Sequence, residues 1–222
     1  MALDCLVLAS SRVELEGFLT NCGEVVCHKG RSYLLETIGV SQVQSALNAM
    51  EAILKHQPRS VLLVGYAGGI DPSLSIGDCV LASEVLQYEL DLRAFGLKRG
   101  ETFKRVPNEI LKEIPLHVPP HEGATLARGG SSDRFLLRAW REANPWLVDE
   151  LDLGFSDMES YGVALAAKMH SIPCTVCRVI SDDAQGRRPK DYKKFCLQAN
   201  QKFVEVLYSL LELPSEKSPT SL

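Results

Sequence analysis

Apolar residues fall in short runs separated by stretches of helical spacing, and this alternation predicts the elements of the chain. Leu6-Val7-Leu8-Ala9 predicts a first buried strand, and Ser10 or Ser11 can cap a helix from Arg12 to about Asn21. Tyr33 to Ile38 is strand-like. Val43, Ala46, Leu47, Met50, Ile53 and Leu54 then recur at helical spacing, predicting an amphipathic helix that Pro58 breaks. Ser60-Val61-Leu62-Leu63-Val64 predicts the next strand, and Tyr66-Ala67-Gly68-Gly69 the loop after it. Ile76 to Leu86 carries a strand or a pair of strands, and the polar, Gly-bearing segment from Glu89 to Pro107 reads as an excursion. Ala124-Thr125-Leu126-Ala127 is a short strand, Ser132 or Asp133 caps a helix through Trp140, and Met158 to Met169 is an Ala-rich helix. The last helix runs from about Tyr192 to Leu213, and the Ser/Pro/Lys-rich tail from Pro214 to Leu222 is expected to be disordered. With no internal repeat and no linker, the pattern predicts one three-layer α/β/α domain over residues 1–213, built on a central mixed, mainly parallel twisted sheet.

Composition narrows the function classes. The 222 residues, 45% of them hydrophobic, suit one large domain with a full core. The net charge is -4, and no stretch concentrates Lys and Arg with interleaved aromatics. The short Gly186-Arg187-Arg188-Pro189-Lys190 patch reads as a solvated loop, so nucleic acid is disfavoured as a partner. No apolar run approaches the roughly 20 residues of a membrane span, and Met1-Ala2-Leu3-Asp4 lacks the basic region of a secretory signal. The seven cysteines are scattered. Cys174 and Cys177 have CxxC spacing, but residues three apart on a strand point to opposite faces. Reduced thiols in a cytoplasmic protein are the simpler expectation.

The candidate chemistry sits at element ends. The run Ile172-Pro173-Cys174-Thr175-Val176-Cys177 predicts a buried strand continuing to Ser181, Asp182 and Asp183. In open α/β sheets ligands bind beyond the carboxyl ends of strands. An acid there can protonate a leaving group or grip a hydroxyl; Asp182 as an N-cap or Asx turn fits the segment equally well. The glycines of Gly65-Tyr66-Ala67-Gly68-Gly69 let backbone amides approach a ligand, or serve only a tight turn. The segment is neither a Walker loop nor GxGxxG. Glu159 suits the dipole at its helix start, or a carboxylate accepting from two sugar hydroxyls with Met158 beneath the sugar. Glu14 and Glu16 read as surface acids by position, of interest because the first strand should end near Asp182. Phe135 reads as core packing or as a ring that stacks on a base. The five histidines are isolated, with no HExxH and no Gly-x-Ser-x-Gly elbow, so neither a metal nor another cofactor is expected.

Taken together, the segments resemble the nucleoside phosphorylase/nucleosidase superfamily, and within it the methylthioadenosine/S-adenosylhomocysteine nucleosidases. Ile38-Gly39-Val40 is similar to the family's GIGK segment, and Gly65-Tyr66-Ala67-Gly68-Gly69-Ile70 through Ile76-Gly77-Asp78 to its GSAGG…L.VGD block. Asp91-Leu92-Arg93-Ala94-Phe95-Gly96 resembles DxxAFG, Ser132-Asp133-Arg134-Phe135 resembles GDAF, Asp157-Met158-Glu159 resembles EME, and Arg178-Val179-Ile180-Ser181-Asp182 resembles RxISD. The segments come in the family's order, from Leu6 to about Leu213. The resemblance implies hydrolysis of the N-glycosidic bond of a 5′-modified purine nucleoside. It puts the acid for purine N7 on Asp182 and the water-activating carboxylate on Glu14, with Arg178 ordering the same water network. Glu159 would hold the ribose hydroxyls, Met158 floor the sugar, Phe135 stack on the purine, the backbone near Leu136 read its edge, and Ser181 orient Asp182. Tyr66, Ala67 and Gly68 would line the site. A homodimer is implied, with Phe95 reaching the partner's site. Glu14 and Glu16 point in different directions on a helix, so only one can serve.

Two departures bear on the substrate. Tyr66 stands where the family usually has Ser, and its phenol could narrow the sugar or water site or supply a hydroxyl. Leu97 stands where these nucleosidases often have an aromatic that covers the 5′ substituent. Futalosine hydrolase, with a larger 5′ group, is therefore an alternative. A phosphate-dependent phosphorylase is another, but Ser10-Ser11-Arg12-Val13-Glu14 replaces the phosphorylase GDP-x-x-R pattern, and a carboxylate there repels phosphate. A non-catalytic nucleoside-binding protein is the third, disfavoured because binding alone needs no acid at N7.

Overall fold

In the computed structural model, residues 3–18, 22–106 and 109–212 are described. The expectations that fall on Met1 and Ala2, on a helix end at Asn21, on Pro107, on Leu213 and on the tail from Pro214 lie outside those residues. The strands are β1 (Cys5–Ala9), β2 (Val25–His28), β3 (Arg31–Thr37), β4 (Ser60–Gly69), β5 (Cys79–Gln87), β6 (Thr102–Phe103), β7 (Ile110–Leu111), β8 (Glu113–Pro115), β9 (Ala124–Ser131), β10 (Phe155–Asp157) and β11 (Cys174–Asp182). Nine of them form one mixed sheet in the order β10-β9-β5-β11-β4-β1-β3-β2, with β8 on β5, while β6 and β7 pair separately. β4 lies between β1 and β11, parallel to both. The helices are α1 (Gln42–His56), α2 (Arg138–Glu142), α3 (Trp146–Asp149), α4 (Ser160–Met169) and α5 (Tyr192–Glu212).

Period-two alternation puts a core on each side of the sheet. Leu6, Leu8, Val61, Leu63, Val176 and Ile180 pack on the side of α1 and α4. Cys5, Val7, Leu62, Val64, Cys177 and Val179 pack on the side of α5. Cys174 and Cys177 therefore lie on opposite faces, as their spacing predicts.

The sheet also closes on itself. β10 runs parallel to β9 and antiparallel to β4, pairing Phe155 with Gly69 and Ser156 with Gly68. β4, β11, β5, β9 and β10 thus make a ring. Glycines leave room for so tight a closure: a Cβ on Gly129 would lie 2.5 Å from the Phe155 ring, and one on Gly154 2.7 Å from the Ala127 Cβ.

Several boundaries differ from the sequence expectation. The predicted loop Tyr66–Gly69 is the end of β4, because β10 and β11 give its backbone partners on both sides. The first helix is one 3₁₀ turn, Arg12–Leu15, followed by Gly17 at φ +103, a value few residues other than glycine adopt. Ser132 and Asp133 do not cap a helix through Trp140. α2 starts at Arg138, and Asp133 accepts instead from the Gln42 backbone N–H at 2.7 Å, capping α1.

α1 forms where expected, but of its larger apolar residues Val43, Leu47 and Leu54 face outward while Ile53 is in the core. Gln42, Ser45, Ala49, Ala52 and Ile53 are buried, whereas Val43, Leu47 and Leu54 are 64%, 66% and 57% exposed. Small residues face α4 because the two helices approach closely: a Cβ on Gly162 of α4 would come within 2.6 Å of the Gln42 carbonyl.

Candidate active site

The end of β4 is the platform. Glu14 is buried on its 3₁₀ turn. One carboxylate oxygen accepts from the Ser10 hydroxyl at 2.5 Å and the Ser11 backbone N–H at 2.9 Å, and the other from the Tyr66 backbone N–H at 3.2 Å. Gly65 is required by what lies over it: a Cβ there would be 2.1 Å from Arg178 Nη1 and 2.8 Å from Glu14 Oε1. Glu14 and the Arg178 guanidinium are thus neighbours across a bare stretch of strand. Glu16 is exposed.

Arg178 is fully buried on β11 among three carboxylates. Its Nε donates to Asp157 at 2.9 Å and its Nη2 to Glu159 at 3.3 Å. Burial works to lower the guanidinium's pKa, but Asp157, Glu159 and Glu14 together hold it above its ordinary value. One cation cannot compensate three acids. Burial pushes Glu159 up to about 7, with Arg178 opposing the shift and Asp157 and Glu14 adding to it. Asp157 is the better satisfied partner. It accepts from the Ser131 hydroxyl at 2.6 Å, from the Glu159 and Ser160 backbone N–H groups and from the Ser160 hydroxyl. Glu159 keeps acceptor capacity for a ligand.

Asp182 ends β11 over the next glycine, where a Cβ on Gly68 would lie 2.9 Å from Oδ2. The Ser181 hydroxyl donates to Asp182 Oδ1 at 2.9 Å and also reaches the Ala67 carbonyl at 3.4 Å, so Ser181 ties the acid to β4. Partial burial raises the Asp182 pKa, opposed by the Ser181 hydrogen bond and by Arg188. Asp183 points away and is held low. Backbone N–H groups of Gln185 and Arg187 and the Arg187 guanidinium at 2.5 Å outweigh its burial and fix the following loop.

The rim contains the remaining expected residues. Met158 is half-buried between Asp157 and Glu159. Phe135 is 52% exposed, with the Arg188 guanidinium 5.3 Å from its ring centroid. Leu136 is buried in the cluster of Leu86, Tyr88 and Leu147, which leaves its backbone rather than its side chain for a ligand. Phe95 is 74% exposed and Leu97 is buried. The Tyr66 side chain differs from expectation. It turns into the α5 layer, 5.2 Å from the Phe195 ring, and its hydroxyl donates to Asn200 at 2.9 Å. Only its backbone reaches the Glu14 carboxylate. Asp157, Ser10 and Asn200 were not among the expected site residues. Asp157 had a signal, as the first acid of Asp157-Met158-Glu159 with Ser160 three residues on; Asn200 had none.

Residues 10–212 match the family profile of the phosphorylase superfamily. The chain is 28% identical over 179 residues to the aminodeoxyfutalosine nucleosidase of Campylobacter jejuni, covering 78% of this chain and 77% of the relative. It is 26% identical over 191 residues to a 5′-methylthioadenosine/S-adenosylhomocysteine nucleosidase of Shewanella loihica, covering 83% of each. Its fold is similar to the crystal structure of a C. jejuni 5′-methylthioadenosine/S-adenosylhomocysteine nucleosidase, with a TM-score of 0.77, 22% identity and coverage of 96% of this chain and 100% of that one. It is also similar to a Helicobacter pylori futalosine hydrolase mutant, with a TM-score of 0.78, 21% identity and coverage of 95% and 99%.

Proposed function

The chain belongs to the phosphorylase superfamily, and from that premise we propose that it hydrolyses the N-glycosidic bond of a 5′-modified purine nucleoside, releasing the base and a free ribose derivative. The observation that carries this reading is a pair of carboxylates seated on one strand end, Glu14 over Gly65 and Asp182 over Gly68, with Glu159 beside Arg178. Asp182 donates a proton to purine N7 as the C–N bond breaks, and its burial shifts it toward the protonated form, the direction a general acid needs. Glu14 takes the proton of the attacking water, with Arg178 ordering the water. Glu159 accepts the ribose hydroxyls over Met158, Phe135 stacks on the base, the Leu136 backbone reads the base edge, and Ala67 and Gly68 line the pocket wall.

Relatives named for methylthioadenosine and S-adenosylhomocysteine and relatives named for futalosine compounds are similar to the chain at nearly the same level. Two 5′ groups therefore stand as readings, the methylthio or homocysteinyl group first and the futalosine type second. A phosphate nucleophile is disfavoured, because the segment after β1 supplies a buried carboxylate and Arg12 is exposed. The apolar stripe Val43, Leu47 and Leu54 on α1, together with exposed Phe95, supports a homodimer in which Phe95 reaches the partner's site. Free cysteines, and no helix long and apolar enough to cross a membrane among the described residues, fit a cytoplasmic location.

The test is purine release from methylthioadenosine, S-adenosylhomocysteine and futalosine, with and without millimolar phosphate, with the sugar product identified. The expected result is phosphate-independent release and free sugar. Sugar 1-phosphate would establish the phosphorylase, and binding without release a nucleoside-binding protein.

A further inference from the structure

Glu14 rides on a short turn whose own bonds, from Ser10 and Ser11, reach one of its two carboxylate oxygens. The 3₁₀ helix is four residues long, and Gly17, in the left-handed region, comes two residues after its end. A general base must be held within a fraction of an ångström of its working position, since misplacement by about 1 Å can cost 10²-fold in rate. The second oxygen of Glu14, and the turn as a whole, are held from outside it.

Asn200 of α5 meets that need. It is 1% exposed, and its Nδ2 donates to the Val13 carbonyl, one residue before Glu14, at 2.7 Å. The carbonyl can only accept, so the amide NH₂ must face it and Oδ1 must face the Tyr66 hydroxyl at 2.9 Å. Tyr66 therefore has to donate. Its phenol is held in its protonated form by burial among Phe195, Phe203 and Tyr192. The backbone N–H of the same Tyr66 donates to the Glu14 carboxylate. A closed circuit results: Glu14, the Tyr66 backbone, the Tyr66 phenol, the Asn200 amide, the Val13 carbonyl and back to Glu14. Asn200 also lies beside Gly17, 3.6 Å from where a Cβ would stand, so it flanks the exit from the turn as well.

We propose that Tyr66 and Asn200 are positioning residues that clamp the Glu14 turn to β4 and α5, fixing the direction of the Glu14 carboxylate toward the attacking water. The proposal rests on the reading of Glu14 as the base. It gives Tyr66, a departure from the family's usual Ser, a role that requires its hydroxyl and not merely its ring.

The experiment measures purine release by the full-length protein for wild type, Tyr66→Phe, Asn200→Ala, Glu14→Gln, and Glu14→Gln combined with Tyr66→Phe. Tyr66→Phe keeps the ring and the fold, and serves if Asn200→Ala does not fold. The clamp predicts that Tyr66→Phe lowers kcat about 10-fold and Asn200→Ala up to about 10²-fold, with KM within about 2-fold of wild type. It also predicts that Tyr66→Phe costs nothing further in the residual rate of Glu14→Gln, because no base remains to be positioned. Equal losses in both backgrounds, a change confined to KM, or wild-type kcat in Tyr66→Phe would overturn the clamp. Near-wild-type turnover in Glu14→Gln would instead remove Glu14 as the base, whatever Tyr66 does.

Discussion

Three carboxylates share Arg178, and Glu159 is the one whose charge is least supported, which makes it the site's pH-sensitive group. Its folded value of about 7 lies above the ordinary 4.5. The folded chain therefore holds a proton that the unfolded chain has released between those values. Folding stability accordingly falls as pH rises through that window, and the full cost is present above it. Binding runs the other way: a carboxylate that accepts ribose hydroxyls must be ionised, so riboside affinity should rise between about pH 6 and 8, and an analogue without the 2′-hydroxyl should follow weakly. Glu159→Gln should flatten the thermal-stability slope and cost roughly 1.5–3 kcal/mol of riboside binding. Equal pH profiles for riboside and 2′-deoxy analogue would leave Glu159 a helix-start residue only. The residues legible in sequence were those whose type is unusual for their position: acids at strand and helix ends, and an aromatic after Ser132-Asp133. Asn200 was illegible because an Asn in a helix reads as a solvated face, and only the α5 packing shows it buried on Val13.

At the scale of elements, β4 is where sequence reading and structure part most informatively. Glycines at 65, 68 and 69 read as a turn, since glycine usually supplies unusual backbone angles. In the fold Gly68 and Gly69 supply absence of bulk inside a strand, and Gly65 does so at φ +157, leaving space that carboxylates and a neighbouring strand occupy. Gly68→Ala tests this. Its φ is not one of the positive values, so alanine meets no backbone strain, but the methyl would come within 2.9 Å of Asp182 Oδ2. The expected outcome is displacement of the acid, with turnover lost toward the 10²–10⁴-fold range of a missing general acid and only a small shift in melting temperature. Wild-type turnover in Gly68→Ala would mean that the Asp182 position is not critical. The same pattern of error explains α1. Helical periodicity found the helix but cannot say which of its two faces meets the sheet, and close approach to Gly162 gave the inner face to small residues.

At the scale of the whole molecule, the outward stripe of α1 calls for cover. If the proposed dimer forms through this stripe, Leu47→Asp should leave the single-chain core intact, because Leu47 is 66% exposed, and should give a monomer by light scattering, with loss of activity. A wild-type protein that is monomeric and fully active would refute the dimer. The ring of β4, β11, β5, β9 and β10 has a consequence in time. It joins Gly69 to Phe155, and the proposed acid and clamp, Asp182 and Asn200, lie more than 160 residues after Glu14. Contacts so distant in sequence form late in folding. No early portion of a growing chain contains both carboxylates and their supports, so on the ribosome the pocket exists only after α5 has been made. A nascent chain that has not yet emerged as far as α5 should therefore release no purine.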